Sequence, residues 1–206
     1  MKGLIGKKIG MTQVFEEDGT VIPVTVIQIA PNVVIGERTV EKNGYAAKLV
    51  GAYDMKEKRA TKPYKGQFPE GVKPKKDVVE FADYDVECSV GDVLNIEVLK
   101  DVQYVDIVGT TKGKGYQGVM KRHGFSGGEK THGSKFKREP GATGQAASPS
   151  KVHKGTKMPG RMGSDRKTVQ NLSVVKIDEA NQLVLVRGAV PGSKNSTVLV
   201  KNALKR

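Results

Sequence analysis

Residues 3–30 read GLIGKKIGMTQVFEEDGTVIPVTVIQIA, and this stretch decides the fold. Two short apolar runs, Gly3 to Ile9 and Met11 to Phe15, lead into Asp18-Gly19. After that turn comes Val21 to Ala30, a run rich in β-branched residues. Asp-Gly between apolar runs is a hairpin signal, because a tight hairpin turn needs positive φ and glycine adopts it without steric cost. β-Branched side chains favour the pleated surface of a strand. Pro23 lacks an N–H, which suggests an edge or strand-entry position.

The same pattern continues outward. Val33 to Val40 and Tyr45 to Tyr53 flank a second hairpin signal, Asn43-Gly44. Residues 55–76, MKEKRATKPYKGQFPEGVKPKK, are basic and interrupted by Pro63, Pro69 and Pro74. They read as a surface excursion with at most one short helical turn. Their cations are of a kind that touches nucleic acid, but a solvated linker is the plainer reading. Strands resume at Asp77 to Phe81, Asp92 to Leu99 and Gln103 to Val108. They return at Thr168 to Ile177, at Leu183 to Ala189 across a turn at 178–181, and at Thr197 to Lys201. Roughly ten short strands with regular turn signals and no long amphipathic helix predict a mainly β fold, a barrel or a sandwich.

Between these strand groups lies a stretch of different character. Residues 110–167 hold fourteen Lys or Arg against Glu129, Glu139 and Asp165, a net +11 of the chain's +13. Twelve of the 25 glycines fall there too, with Pro140, Pro149 and Pro159, and no run of period 2 or 3.6. The expected organisation is therefore a nearly uncharged body, 1–109 and 168–206, carrying a basic arm, 110–167, as an insertion. Like charges at this density repel, and few apolar residues offset the entropy of ordering, so the arm alone is expected to be mobile. A polyanion would order it. Two limbs of about 29 residues at ~3.3 Å each give a maximal reach of roughly 90 Å.

Other readings of the chain are weaker. Gly113-Lys114-Gly115-Tyr116-Gln117-Gly118 is formally G-x-G-x-x-G after a strand, the mark of a nucleotide-cofactor enzyme. The helix that should follow is broken by Gly124, Gly127 and Gly128, so no cofactor is expected. The same glycines suit close approach of backbone to a phosphodiester chain. His123, His132 and His153 lack a fourth partner and ligand spacing, so no metal site is expected. Tyr116, Phe125 and Phe136 stand isolated among cations; stacking on unpaired bases and packing as small satellite clusters both remain open. Glu97, Asp101 and Asp106 read as a solvated face. No nucleophile–base pair or carboxylate cluster supports catalysis. One cysteine, Cys88, no signal peptide and no span long enough for a bilayer predict a cytoplasmic protein without membrane contact or small-molecule substrate. A general architectural nucleic-acid-binding protein is the remaining alternative.

Residues 99–122 carry a spaced pattern: Leu99, Asp106, Gly109, Thr111, Gly113-Lys114-Gly115, Gly118 and Arg122. This resembles the signature of the large-subunit ribosomal protein L3 family. Similar to that family too are the opening GLIGKKIGMTQVF, Thr131 to Ser134, Val152 through Met162-Gly163, and Arg187 to Gly192. The resemblance implies a translation-protein-type β-barrel with a long, glycine-rich extended insertion loop. It implies a structural role: direct binding of 23S-type rRNA, nucleation of assembly near its 3′ end beside neighbouring ribosomal proteins, and an arm directed toward the peptidyl transferase centre.

The residues expected to meet rRNA are Lys2, Lys7, Lys8, Lys112, Lys114, Lys121, Arg122, His123, Lys130, His132, Lys135, Lys137, Arg138, Lys151, His153, Lys154, Lys157, Arg161, Arg166 and Lys167. Gly113, Gly115, Gly118, Gly141 and Gly144 are expected to permit close backbone approach. The chain departs from the family at Lys137-Arg138 and at 140–144. The glutamine methylated in some members falls at Ala147, with Gln145 nearby.

Overall fold

The computed structural model describes residues 2–205. Its chain divides between Thr111 and Lys112 and again between Asp165 and Arg166, giving two units.

The larger unit is built on a closed antiparallel barrel. Its strands are β1 (Gly3–Phe15), β2 (Val21–Ile29), β7 (Tyr104–Thr110), β10 (Arg166–Asp178), β11 (Leu183–Arg187) and β12 (Thr197–Asn202). They close in the order β1-β12-β7-β10-β11-β2. A second sheet in the same unit has the order β5-β4-β3-β6, made of β3 (Asn32–Arg38), β4 (Ala47–Asp54), β5 (Lys75–Ala82) and β6 (Val93–Leu94). The fold is thus mainly β, as the strand pattern predicts, and of the two arrangements that pattern left open it takes the closed barrel that the resemblance implies.

Alternation explains the core. Ile27, Val105, Ile107, Val184, Val186, Val198 and Val200 are all fully buried in one cluster, joined by Leu4 and Ile5. Burying each such side chain contributes roughly 1.5–3 kcal/mol. The core continues to the second sheet through Val34, Val50 and Phe81. Phe81 lies against Gly3, where an added Cβ would come within 2.5 Å of the ring. The first residue of β1 must therefore be glycine for that ring to seat.

Buried polar side chains knit the pieces together. Asn32 is fully buried: its Oδ1 accepts from the Ile5 N–H (2.9 Å), and its Nδ2 donates to the Ile5 and Ala30 carbonyls. It ties the start of β3 to β1. Thr25, also buried, donates to the Gly188 carbonyl (2.6 Å). The Tyr84 hydroxyl donates to the Gly3 carbonyl (2.9 Å), and burial pushes its pKa up to about 12.

Several expectations are corrected here. Asp106 is not on a solvated face: it is buried, and its carboxylate accepts from the Asn171 N–H (2.8 Å). Asn171 has φ 57°, and the β7–β10 register shifts between Val169 and Leu172. The carboxylate thus satisfies an N–H that the irregular ladder leaves over. Gly3 to Phe15 is one strand with an irregularity at Lys8/Gly10, not two. Pro23 is not on an edge strand, since β2 has neighbours on both sides, but it does stand near the entry of β2, the other position expected for it. It sits one position past the end of the β2–β11 ladder at Val24↔Arg187, where a missing N–H costs nothing.

Asp92 to Leu99 is not a strand throughout; after β6 the chain turns into a 3₁₀ helix, Ile96–Leu99, which buries Ile96 and Leu99. β3 and β4 do pair, but a single helical turn, α1 (Val40–Asn43), joins them, ended by Gly44 at φ 80°. The 55–76 excursion holds two short helical segments, the 3₁₀ turn Glu57–Arg59 and α2 (Lys62–Lys65), and its last residues already belong to β5.

Candidate nucleic-acid interface

The smaller unit, Lys112–Asp165, lies in sequence between β7 and β10. Thr110 and Arg166 are ladder partners, so the larger unit holds the two chain ends side by side.

Its base is ordered by backbone. β8 (Gly115–Gln117) pairs antiparallel with β9 (Gly160–Met162) in the register Gly115↔Met162, Tyr116↔Arg161, Gln117↔Gly160. The Lys114 N–H donates to the Met162 carbonyl (2.9 Å). Glycine permits this closeness: at Gly163 (φ 76°) an added Cβ would overlap the Lys112 carbonyl oxygen. Next comes α3 (Val119–His123), one turn ended by Gly124 at φ 75°. Its Arg122 guanidinium donates to the Met158 carbonyl (2.8 Å), and His123 Nε2 lies 3.0 Å from the same oxygen. The expectation that this stretch contains no regular element is therefore corrected at its base.

Farther on, residues 124–159 form no helix or strand. A backbone bond from Gly128 to the Phe136 carbonyl (3.2 Å) draws two passes of chain together. A Cβ at Gly128 would lie 2.6 Å from that oxygen. Beside this crossing is a concavity of about 540 Å³ lined in part by Phe125, Phe136, Glu139 and Pro140. Phe136 is 66% exposed and Tyr116 74% exposed. Phe125 packs loosely on His123, ring centroids 6.1 Å apart. Neither Glu139's place at the concavity nor the Met158 carbonyl as a fixed point had a signal in the sequence.

Among the described residues of this unit, Val119 alone is buried. All twelve of its Lys and Arg are exposed: Lys112, Lys114, Lys121, Arg122, Lys130, Lys135, Lys137, Arg138, Lys151, Lys154, Lys157 and Arg161. The ion pairs at Lys2, Arg38, Lys48, Lys75 and Lys100 all lie in the larger unit. His132 and His153 are exposed and His123 half-buried, and no group of three or more His, Cys, Asp or Glu gathers among the described residues.

The formal G-x-G-x-x-G runs into an antiparallel ladder and a five-residue helix, whereas a dinucleotide fold needs a parallel strand and a full helix at that point. Gly115 has φ 67°, and Gly113, Gly115, Gly118, Gly141 and Gly144 are all exposed.

The remaining predicted contacts belong to the larger unit. Lys2 faces Asp101 (3.9 Å), the Lys7 ammonium sits 3.9 Å over the Tyr53 ring, and Lys8 Nζ donates to the Val190 carbonyl (2.7 Å). Arg166 and Lys167 are exposed at the start of β10.

Comparison with known proteins meets this geometry. The family described as Ribosomal protein L3 matches residues 70–183, a span that contains the whole smaller unit and its strand anchors. The chain belongs to the ribosomal protein L3 family. Relatives named large ribosomal subunit protein uL3 cover the whole chain. That of Borrelia hermsii is 56% identical over 210 residues, spanning 99% of the relative. That of Borrelia garinii subsp. bavariensis is 54% identical over 207 residues, spanning all of it. That of Treponema denticola is 53% identical over 206 residues, spanning 99%. L3 is a structural ribosomal protein rather than an enzyme, and the ribosome is a cytoplasmic particle in bacteria. No helix among the described residues is long and apolar enough to cross a membrane.

Proposed function

We propose that this L3-family protein binds large-subunit rRNA directly, with Lys112–Asp165 as an extended arm and the barrel unit as its holder. The observation that carries the proposal is the pairing of charge with exposure. Twelve exposed cations share a unit that has one buried residue and three acids. Packing such a unit on itself gains little, whereas placing it among phosphates releases counterions and offsets the repulsion.

The fourteen cations of 110–167 and Lys2, Lys7 and Lys8 supply phosphate contacts, with His123, His132 and His153 beside them. Phosphate contacts position a protein without reading sequence. Selectivity then comes from RNA shape and from unpaired bases against exposed rings such as Phe136 and Tyr116. Gly113, Gly115, Gly118, Gly141 and Gly144 leave room for backbone to approach the RNA. The family resemblance adds the finer placement: nucleation of assembly near the 3′ end of the rRNA, beside other ribosomal proteins, and an arm aimed toward the peptidyl transferase centre.

The test is co-sedimentation with large ribosomal subunits followed by cross-link mapping. Cross-links from Lys130 to Lys157 near the peptidyl transferase centre are expected. Cross-links to rRNA from the larger unit alone would overturn the division of roles.

A further inference from the structure

The residues outside 110–167 carry only +2, and that small figure conceals a second separation of charge. Residues 55–76 contain eight Lys or Arg against Glu57 and Glu70, a net +6, so everything else outside the arm is net −4. The expectation of a nearly uncharged body holds only as a sum. The larger unit also takes in Arg166 and Lys167, so with its loop set aside it is net −2: one loop is basic and the rest is slightly acidic.

That loop is built rather than slack. The Met55 N–H donates to the Pro74 carbonyl (2.8 Å), closing its neck. The Tyr64 hydroxyl donates to the Lys75 carbonyl (2.6 Å), and Tyr64 meets the Phe68 ring edge-on at 5.2 Å. Turns at Lys56–Arg59, Thr61–Lys65 and Pro69–Val72 are each closed by backbone bonds. Among the described residues, the one ion pair seen within it is Lys75 with Asp54 (2.6 Å). Lys56, Lys58, Arg59, Lys62, Lys65, Lys73 and Lys76 are all exposed.

We propose that residues 55–76 form a second docking surface for RNA phosphates, anchoring the barrel unit to rRNA independently of the arm. This rests on the RNA reading above. Both aromatic rings of the loop are spent on its own packing, half-buried, so it offers no stacking platform and meets sugar-phosphate backbone rather than bases. The loop likewise shows no exposed large hydrophobic side chain with which to enter a lipid surface. With a Debye length of about 8 Å at physiological salt, the acidic remainder acts only locally. The loop is thus the densest concentration of cations on this unit and adds to the contacts of Lys2, Lys7 and Lys8.

The experiment uses the full-length protein with Lys58, Arg59, Lys62 and Lys65 all changed to Gln, its fold checked by an unchanged melting temperature. A parallel variant changes Lys112, Lys114, Lys121 and Arg122 to Gln. Binding to protein-free large-subunit rRNA is measured between about 50 and 200 mM salt, with nucleotide footprints. The loop variant is expected to flatten the slope of log K against log salt by roughly 2–3, at ~0.7–0.9 per lost phosphate contact. Its lost protections should fall on nucleotides other than those lost by the arm variant.

A wild-type slope in the loop variant, beside a flattened slope in the arm variant, overturns the second surface and leaves the arm reading standing. Wild-type slopes in both variants overturn the RNA reading itself. An unchanged rRNA slope together with lost binding to a neighbouring large-subunit protein overturns it too, in favour of a protein dock.

Discussion

Ile107 and Val119 lie twelve residues apart in the chain and are both buried, yet they belong to opposite physical regimes. Ile107 is one of many: β7 also buries Val105 and Val108, and β12, on one side of it, adds Val198 and Val200 to the same core. Val119 is the one buried residue of its unit, surrounded by exposed lysines, arginines and glycines. The barrel is held by apolar area removed from water. The smaller unit is held by a short ladder, a few side chain–carbonyl bonds and glycines that let backbones touch. A core makes a shape that persists in isolation; cations on a lightly bonded scaffold make a shape completed by an anionic partner.

The strongest attempt to break this comparison is to replace 112–165 by a short linker. The barrel unit should still fold cooperatively, since Thr110 and Arg166 remain ladder partners. The intact protein should show a salt slope of roughly −6 to −7 if about eight arm cations meet phosphates, and the shortened one should lose most of it in a filter-binding or anisotropy titration. Retention of the full slope would move RNA binding to the barrel unit.

Ile107→Ala probes the other side. Deleting a fully buried branched side chain should cost about 2–5 kcal/mol by denaturant titration, while leaving the rRNA footprint of the smaller unit intact below the melting range. Asp106→Ala should cost about 1–3 kcal/mol, because the Asn171 N–H loses its acceptor, and Asp106→Asn should recover part of that. A surface acid would show nothing.

Gly163→Ala sharpens the contrast from within the smaller unit. A left-handed backbone and the overlap with Lys112 should cost ~1–2 kcal/mol locally. Hydrogen exchange at the Lys114 N–H should speed up with no change in barrel melting; a lower melting temperature would mean that the two regimes are not separate. The smallest effect expected is at high pH. Tyr84 has its folded pKa raised from 10.0 to about 12, so its contribution is fully present below pH 10 and is lost as pH rises toward 12. Absorbance of tyrosinate near 295 nm should report that late titration, and ionisation near pH 10 in folded protein would contradict the burial.

Much of the larger unit was legible because strands with one buried face write their period into the sequence. Asp18-Gly19 and the β-branched runs of 21–30 and 197–201 name their elements directly. What was misread depended on partners remote in sequence. Asp106 looked like any strand-edge acid until the irregularity at Asn171, 65 residues on, supplied the N–H that it accepts. Ile96 and Leu99 have the composition of a strand but are wound into a 3₁₀ turn. In the smaller unit the charge and the glycines were legible, whereas the exposure of Tyr116 and Phe136 and the β8–β9 ladder were not. Three-residue strands carry no period, and their pairing joins limbs more than forty residues apart.

The sequence by itself determined the β class, the separation of a strongly basic glycine-rich segment from the rest, and the family, because composition, turn chemistry and motif spacing are local. Only the tertiary structure decided which strands close the barrel, why Gly3 and Gly163 must be glycine, where Asp106 and Asn32 spend their polar atoms, and that the loop at 55–76 is tied at its neck. Those outcomes are set by which atoms meet across long stretches of chain, and no local pattern records them.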